Sequence, residues 1–243
     1  MVAGLRVENA SGSLQIDERY ANLVLVQKHE ITINQRHPWG SASTDFYNFS
    51  LSLGGLSTPC VAIRATGDSV FLWQAESLGG GSWRYSFSSR SPTSATVYVF
   101  DGASQLSASS GAGLWVWDAS SRLVFDSNLR YCNIKNIFPR VGQSGTYSSS
   151  AELAAVVQTF PGFQWVPVPL GPPPANDWPN GRDAWPGFVD VFCTTYRTVG
   201  NSVFVSVGEH FSRGHRYDAY YGNQVPEYMA YEASFLVVDV SGL

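Results

Sequence analysis

Lysine is nearly missing from this sequence of 243 residues: Lys28 and Lys135 are the only two among fifteen basic side chains, and charged residues make up 14% of the chain. No run of Lys or Arg occurs, so a surface that tracks phosphates has no support and nucleic acid is not an expected partner. Long apolar runs are missing too. None approaches the roughly 18 consecutive apolar residues of a spanning helix, and Met1 to Glu18 lacks the basic-then-apolar build of a secretory signal. The sequence predicts a protein that does not insert into membranes and is not exported by that route.

Cysteine is scarce and odd in number. Cys60, Cys132 and Cys193 fit neither a disulfide framework nor the spacing of metal ligands. Two of them lie in apolar, strand-like runs, Thr58-Pro-Cys-Val-Ala-Ile63 and Asp190-Val-Phe-Cys-Thr-Thr195. They read as small hydrophobes in a chain that folds under reducing conditions.

Aromatic residues, by contrast, are abundant at 14% (8 Trp, 12 Tyr, 14 Phe), a composition that folds rather than solvates. Apolar positions alternate with a period of two in short runs: Phe49, Leu51 and Leu53; Val61 and Ile63; Val70 and Leu72; Trp83, Tyr85 and Phe87; Val97 and Val99. Gly, Ser, Pro or Asp clusters separate these runs, which is the signature of antiparallel strands joined by turns. The fold class is all-β, a sandwich or barrel.

An internal repeat sharpens that expectation. Gly4-Leu-Arg-Val-Glu-Asn-Ala-Ser-Gly-Ser-Leu-Gln-Ile-Asp17 aligns without a gap on Gly113-Leu-Trp-Val-Trp-Asp-Ala-Ser-Ser-Arg-Leu-Val-Phe-Asp126, with seven identities in fourteen positions. The pattern is that of a hairpin whose turn is Asn9-Ala-Ser-Gly12 in one copy and Asp118-Ala-Ser-Ser121 in the other. A fainter echo, Val97-Tyr-Val-Phe-Asp101 against Leu236-Val-Val-Asp239, closes each half. The sequence therefore predicts two tandem antiparallel β-sandwich-like modules, at 1–108 and 111–243, each opening with the duplicated hairpin. The small residues of Ala103 to Gly113 suit a flexible join. The second module is longer, and eight of the thirteen prolines sit between Pro161 and Pro186. That segment, about 161–186, reads as a Pro/Trp-rich insertion, of which Val166 to Pro186 is expected to run as a polyproline-like surface loop.

The Gly-Leu-x-Val-x-(Asn/Asp)-Ala-Ser-x-x-Leu-x-x-Asp pattern at 4–17 and 113–126 resembles the opening hairpin of small β-rich tail proteins of tailed bacteriophages, found in the tail tip, baseplate or fibre. The resemblance implies a minor structural tail protein, assembled in the host cytoplasm into the virion. Its partners would be other phage tail proteins and further copies of itself, as a trimer or ring. The host side of any attachment would be a surface glycan or pilus. The resemblance carries no catalytic residue, cofactor or metal, so the protein is not expected to be an enzyme.

Gly67-Asp68-Ser69 is similar to the nucleophile block of an esterase family, but no Asp stands three positions before His210 or His215. A β-turn is the expected reading. His210, His215, Glu209 and Asp218 match no common zinc pattern, and Ser212-Arg213-Gly214 between the histidines reads as a turn in a solvated loop. Asp177, Asp183, Asp190, Asp218 and Glu227 supply carboxylates for glycoside cleavage, but sequence does not give their separations.

Tryptophan placement is more informative. Trp73, Trp83, Trp115 and Trp117 fall inside strand-like runs and are expected to pack in the core or at a subunit interface. Trp165, Trp178 and Trp185, with Arg182, lie in or beside the Pro-rich segment, where they either stack on a sugar ring or partner, or pin the loop to its own module. Arg213 to Tyr228, with Tyr217, Tyr220 and Tyr221, has the Tyr, Gly and Asn content of a binding loop. These seven residues are the candidate contact site. The alternatives to a tail structural role are a carbohydrate-binding module and a glycan-degrading tail enzyme.

Overall fold

The computed structural model describes residues 6–8, 14–17, 22–36, 46–103, 106–138, 143–146, 152–156, 161–166, 184–218 and 235–243. The first half of the chain gives β1 (Arg6–Glu8), β2 (Leu14–Asp17), β3 (Leu23–Ile33), β4 (Gln35–Arg36), β5 (Tyr47–Leu53), β6 (Cys60–Ala65), β7 (Val70–Gly79), β8 (Ser82–Ser89) and β9 (Thr93–Gly102). The second half gives β10 (Trp115–Trp117), β11 (Leu123–Asp126), β12 (Asn133–Phe138), β13 (Gln143–Thr146), β14 (Leu153–Val156), β15 (Pro161–Val166), β16 (Ala184–Val199), β17 (Ser202–Asp218) and β18 (Phe235–Asp239). Among the described residues there is no helix, and every strand pairing is antiparallel.

Two large sheets form the body. One has the order β12-β18-β14-β6-β9-β3, and the other β13-β17-β16-β7-β8-β5-β4 with β15 added on β16. Between them lies the main core, with Ile31, Ile33, Leu53, Val61, Ile63, Val70, Leu72, Phe87, Val97, Val99, Phe235 and Val237 all buried. The outer face of the six-stranded sheet carries a second cluster around Ala62, Tyr98, Phe100, Ala154, Val156 and Val238. Strand β9 is covered on both faces, which explains why Val97-Tyr-Val-Phe100 is an unbroken apolar run rather than an alternating one. The sheet also turns back on itself. Val24 bridges Tyr131, the Leu25 amide donates to the Arg130 carbonyl (2.7 Å), and the Cys132 amide donates to the Leu23 carbonyl (2.9 Å). The two end strands thus touch at their starts, through this single bridge among the described residues.

The repeat seen in the sequence is a repeat of strand ladders. In the first hairpin Arg6 pairs with Asp17, Val7 with Ile16 and Glu8 with Leu14. In the second, Trp115 pairs with Asp126, Val116 with Phe125 and Trp117 with Leu123. Every partner is shifted by 109 residues, and both ladders change register at the same step. The equivalence continues beyond the hairpins. Strand β3 pairs with β9 as Val24–Asp101, Leu25–Phe100, Gln27–Val99, Lys28–Tyr98 and His29–Val97. Strand β12 pairs with β18 as Asn133–Asp239, Ile134–Val238, Asn136–Val237, Ile137–Leu236 and Phe138–Phe235. Val26 and Lys135, again 109 apart, are the residues that each ladder skips.

The boundary near 108–111 separates two repeats, each of which supplies three or four strands to both large sheets, and the two halves are joined edge to edge. Strand β14 of the second repeat pairs with β6 of the first, and β16 pairs with β7 at Tyr196–Val70. Each large sheet runs through both repeats, because joining edges hides backbone amides that two separate sandwiches would leave unpaired. The join expected to be flexible is also tied down. The Ser109 amide donates to the Asp126 carboxylate (2.7 Å), and the Asn128 side-chain amide donates to Ser109 Oγ (2.9 Å) and to the Ala112 carbonyl (3.3 Å).

Candidate functional site

The second hairpin shows how local sequence sets local shape. The Ser121 amide donates to the Asp118 carbonyl and the Asp118 amide to the Arg122 carbonyl, a three-residue hairpin loop that ends on a left-handed position. Ser121 occupies that position with φ 60°, the one such non-glycine residue among those described. The Asp118 carboxylate accepts from the amides of Ser120 (2.8 Å) and Arg122 (2.9 Å) and from the Arg122 guanidinium (2.7 Å). These bonds, the Arg122 amide first, outweigh desolvation and hold its pKa below the usual carboxylate range. Asp126 ends the hairpin with no exposure to solvent. Burial pushes its pKa up, yet bonds from Ser109 and the Asn128 amide together leave it lowered. Tyr131 stacks on Phe125 with ring centroids 5.0 Å apart and donates its hydroxyl to the Asp126 carbonyl (3.0 Å).

Among the described residues, the second repeat carries an addition that the first lacks. Strand β16 meets β7 at Tyr196 but extends twelve residues outward to Ala184, and β17 follows it to Asp218. Strand β15 lines the same edge of β16, from Pro161 opposite Cys193 to Val166 opposite Phe188. The result is a three-stranded arm. Here two expectations are corrected. Of Val166 to Pro186, Val166 itself and Ala184 to Pro186 are strand, not polyproline-like loop, and 167–183 lie outside the described residues; Pro161 opens an edge strand and Pro186 lies past the end of β15, the two settings in which a missing N–H does not break a central ladder. Ser212-Arg213-Gly214 is also strand, paired with Asp190, Val189 and Phe188, and so is Arg213 to Asp218. The signal for β15 was the alternation Phe163, Trp165, masked by the neighbouring prolines.

The arm collects part of the candidate contact site. Trp185 stands opposite Tyr217, and Trp165 stands opposite Val189, which in turn faces Arg213. Trp178, Arg182, Tyr220 and Tyr221 lie outside the described residues. His215 pairs with Gly187, while His210 is the residue skipped between the Val191–Phe211 and Phe192–Glu209 pairs. Among the described residues, no group of three or more His, Cys, Asp or Glu side chains could hold a metal ion.

The remaining motifs resolve into structure. Gly67-Asp68-Ser69 is the connection between β6 and β7, where the Asp68 carboxylate accepts from the Ser69 amide (2.7 Å) and the Ser91 hydroxyl (2.6 Å). That is turn chemistry. Cys60 and Cys132 are free, half-buried and packed on the second core cluster. Burial pushes both thiols up, Cys132 to about 12, so neither is a thiolate at neutral pH. Trp83 packs on the main core and stacks with Tyr85 at 6.3 Å, whereas Trp117 is 49% exposed and is not a core residue. No protein-family model, curated protein or solved structure matches the chain.

Proposed function

We propose that this protein is a structural subunit of a siphovirus-like bacteriophage tail, at the tail tip, baseplate or fibre, and that its arm is a contact surface used in host attachment. The observation that carries this reading is the hairpin, because the resemblance to tail proteins rests on its sequence and the same ladder opens both repeats. A duplicated scaffold with one elaborated copy also favours binding over catalysis, since new contacts are commonly grafted onto the longer copy of a repeated frame. The protein would work inside an oligomeric virion assembly, among other tail proteins and copies of itself, after assembly in the host cytoplasm. Mass spectrometry of purified virions tests it: the protein is expected in the particle, and its absence would remove the structural reading.

A carbohydrate-binding module is the second reading. The register that sets Trp185 against Tyr217, with Trp165 on the next strand, favours it, because aromatic faces stack on sugar rings. Retention of the full chain on host surface polysaccharide separates the two. Incubation with the same polysaccharide, watched for new reducing ends, tests the glycan-degrading variant.

A further inference from the structure

Among the described residues, the strand edges without a partner differ in kind. At the ends of the six-stranded sheet, β3 carries Lys28 and Glu30, β12 carries Lys135, and each has a bulge. Strand β4 carries Arg36. Charges and bulges of this sort keep an edge from pairing with another chain. Strand β13 is uncharged but is four residues of Gln, Ser, Gly and Thr. Strand β15, Pro161-Gly-Phe-Gln-Trp-Val166, is longer, apolar and without any charge. Among the described residues it pairs with β16 alone. The sequence that follows, Pro167-Val-Pro-Leu-Gly-Pro-Pro-Pro174, holds five prolines and lacks the donors for a regular ladder on that edge.

We propose that the edge of β15 that no described strand covers pairs antiparallel with β15 of a second copy of this chain. Three observations favour a second copy as the occupant. The chain already joins its own repeats in this way, edge to edge and antiparallel, at β6–β14 and β7–β16. An uncharged strand meets no like-charge row when it faces itself. The register is self-consistent as well. Residues opposite each other on antiparallel strands share a face, so a dyad between identical strands must centre on a residue. Centring on Gln164 sets Gln164 against Gln164 of the second copy and forms two Phe163–Trp165 pairs, the aromatic cross-strand contacts that stabilise sheets. This proposal is independent of the tail assignment, since a dimer can form whether or not the protein is found in a virion.

The test uses the full chain at tens of micromolar, with mass measured by light scattering behind a sizing column. The expected mass is twice the 26.5 kDa of one chain. Gln164→Lys and Gln164→Glu each set like charges opposite one another across the dyad and are expected to cut the dimer fraction by more than half, with unchanged circular dichroism. Mixing the two variants is expected to restore the dimer. In the unaltered chain, hydrogen exchange of the β15 amides should slow as concentration rises. A monomeric wild type, a dimer insensitive to both substitutions, or β15 exchange that ignores concentration would overturn the proposal.

Discussion

Ala62 and Val156 stand opposite each other where the two repeats meet, and each is the other's counterpart in the repeat. Cys60 pairs with Phe100 as Ala154 pairs with Val238, and Phe100 and Val238 are equivalent positions in β9 and β18. Two steps along β6 and β14, Ala62 therefore matches Val156. The pair lies on an internal twofold axis, with small or branched side chains where two backbones must approach. Both are buried. Exchange of Ala62 for Leu would push a larger side chain into its counterpart, and about 1–3 kcal/mol of stability is expected to be lost, read as a lower denaturant midpoint.

Ser121 holds a left-handed backbone conformation that glycine adopts without steric cost, and the aligned residue in the first hairpin is Gly12. Ser121→Gly is expected to raise stability by about 0.5–1 kcal/mol. A thermal melt that moves down would contradict the turn geometry.

Gly81 has φ 75°, and a Cβ there would sit 2.9 Å from the Leu56 carbonyl oxygen, backbone that cannot swing away. Gly80, with φ 59°, has open space around it. Gly81→Ala should cost clearly more than Gly80→Ala, whose penalty is the roughly 1 kcal/mol of a left-handed residue alone. Paired denaturation curves give the comparison.

Asp118, Asp126 and Asp239 all have lowered pKa values in the folded chain. A carboxylate lowered by folding contributes stability that is complete above its unfolded value and is lost as pH falls through its folded value. Stability should thus hold from neutral pH down to the ordinary carboxylate range, near pH 4, and drop below it. Asp126→Ala should destabilise at pH 7, and the gap to wild type should shrink toward pH 2 in parallel melts.

If Trp178 and Trp185 meet a partner, Trp178→Ala and Trp185→Ala should each weaken virion incorporation or glycan retention by about 2 kcal/mol or more, with melting temperature nearly unchanged. Melting measured beside binding decides it, and a large loss of stability alone would show that these residues pin their own module.

Much of this architecture was legible in the sequence, and the reasons are local. Alternation such as Tyr85 and Phe87, or Val97 and Val99, reports one buried face, and all of these are core. The Gly4–Asp17 and Gly113–Asp126 match reported a hairpin, and both copies form the same ladder. What sequence could not report is which edges meet. The β6–β14 and β7–β16 joints involve residues 90 or more apart with no motif of their own, so the repeats read as separate modules. The arm was obscured differently: proline content dominates Pro161 to Pro186, although Pro161 and Pro186 both sit where strands tolerate them. Of the candidate contact residues, composition found the region but not that Trp185 would face Tyr217.

Strand β16 holds Trp185 near one end and Tyr196, at the joint with the first repeat, toward the other. At about 3.3 Å per residue its sixteen residues span roughly 50 Å without a break. Such a strand is a lever. A load taken at the tip of the arm runs along one covalent backbone, past the register shift at Val191 and Phe192, to the joint with β7 and so into the other repeat.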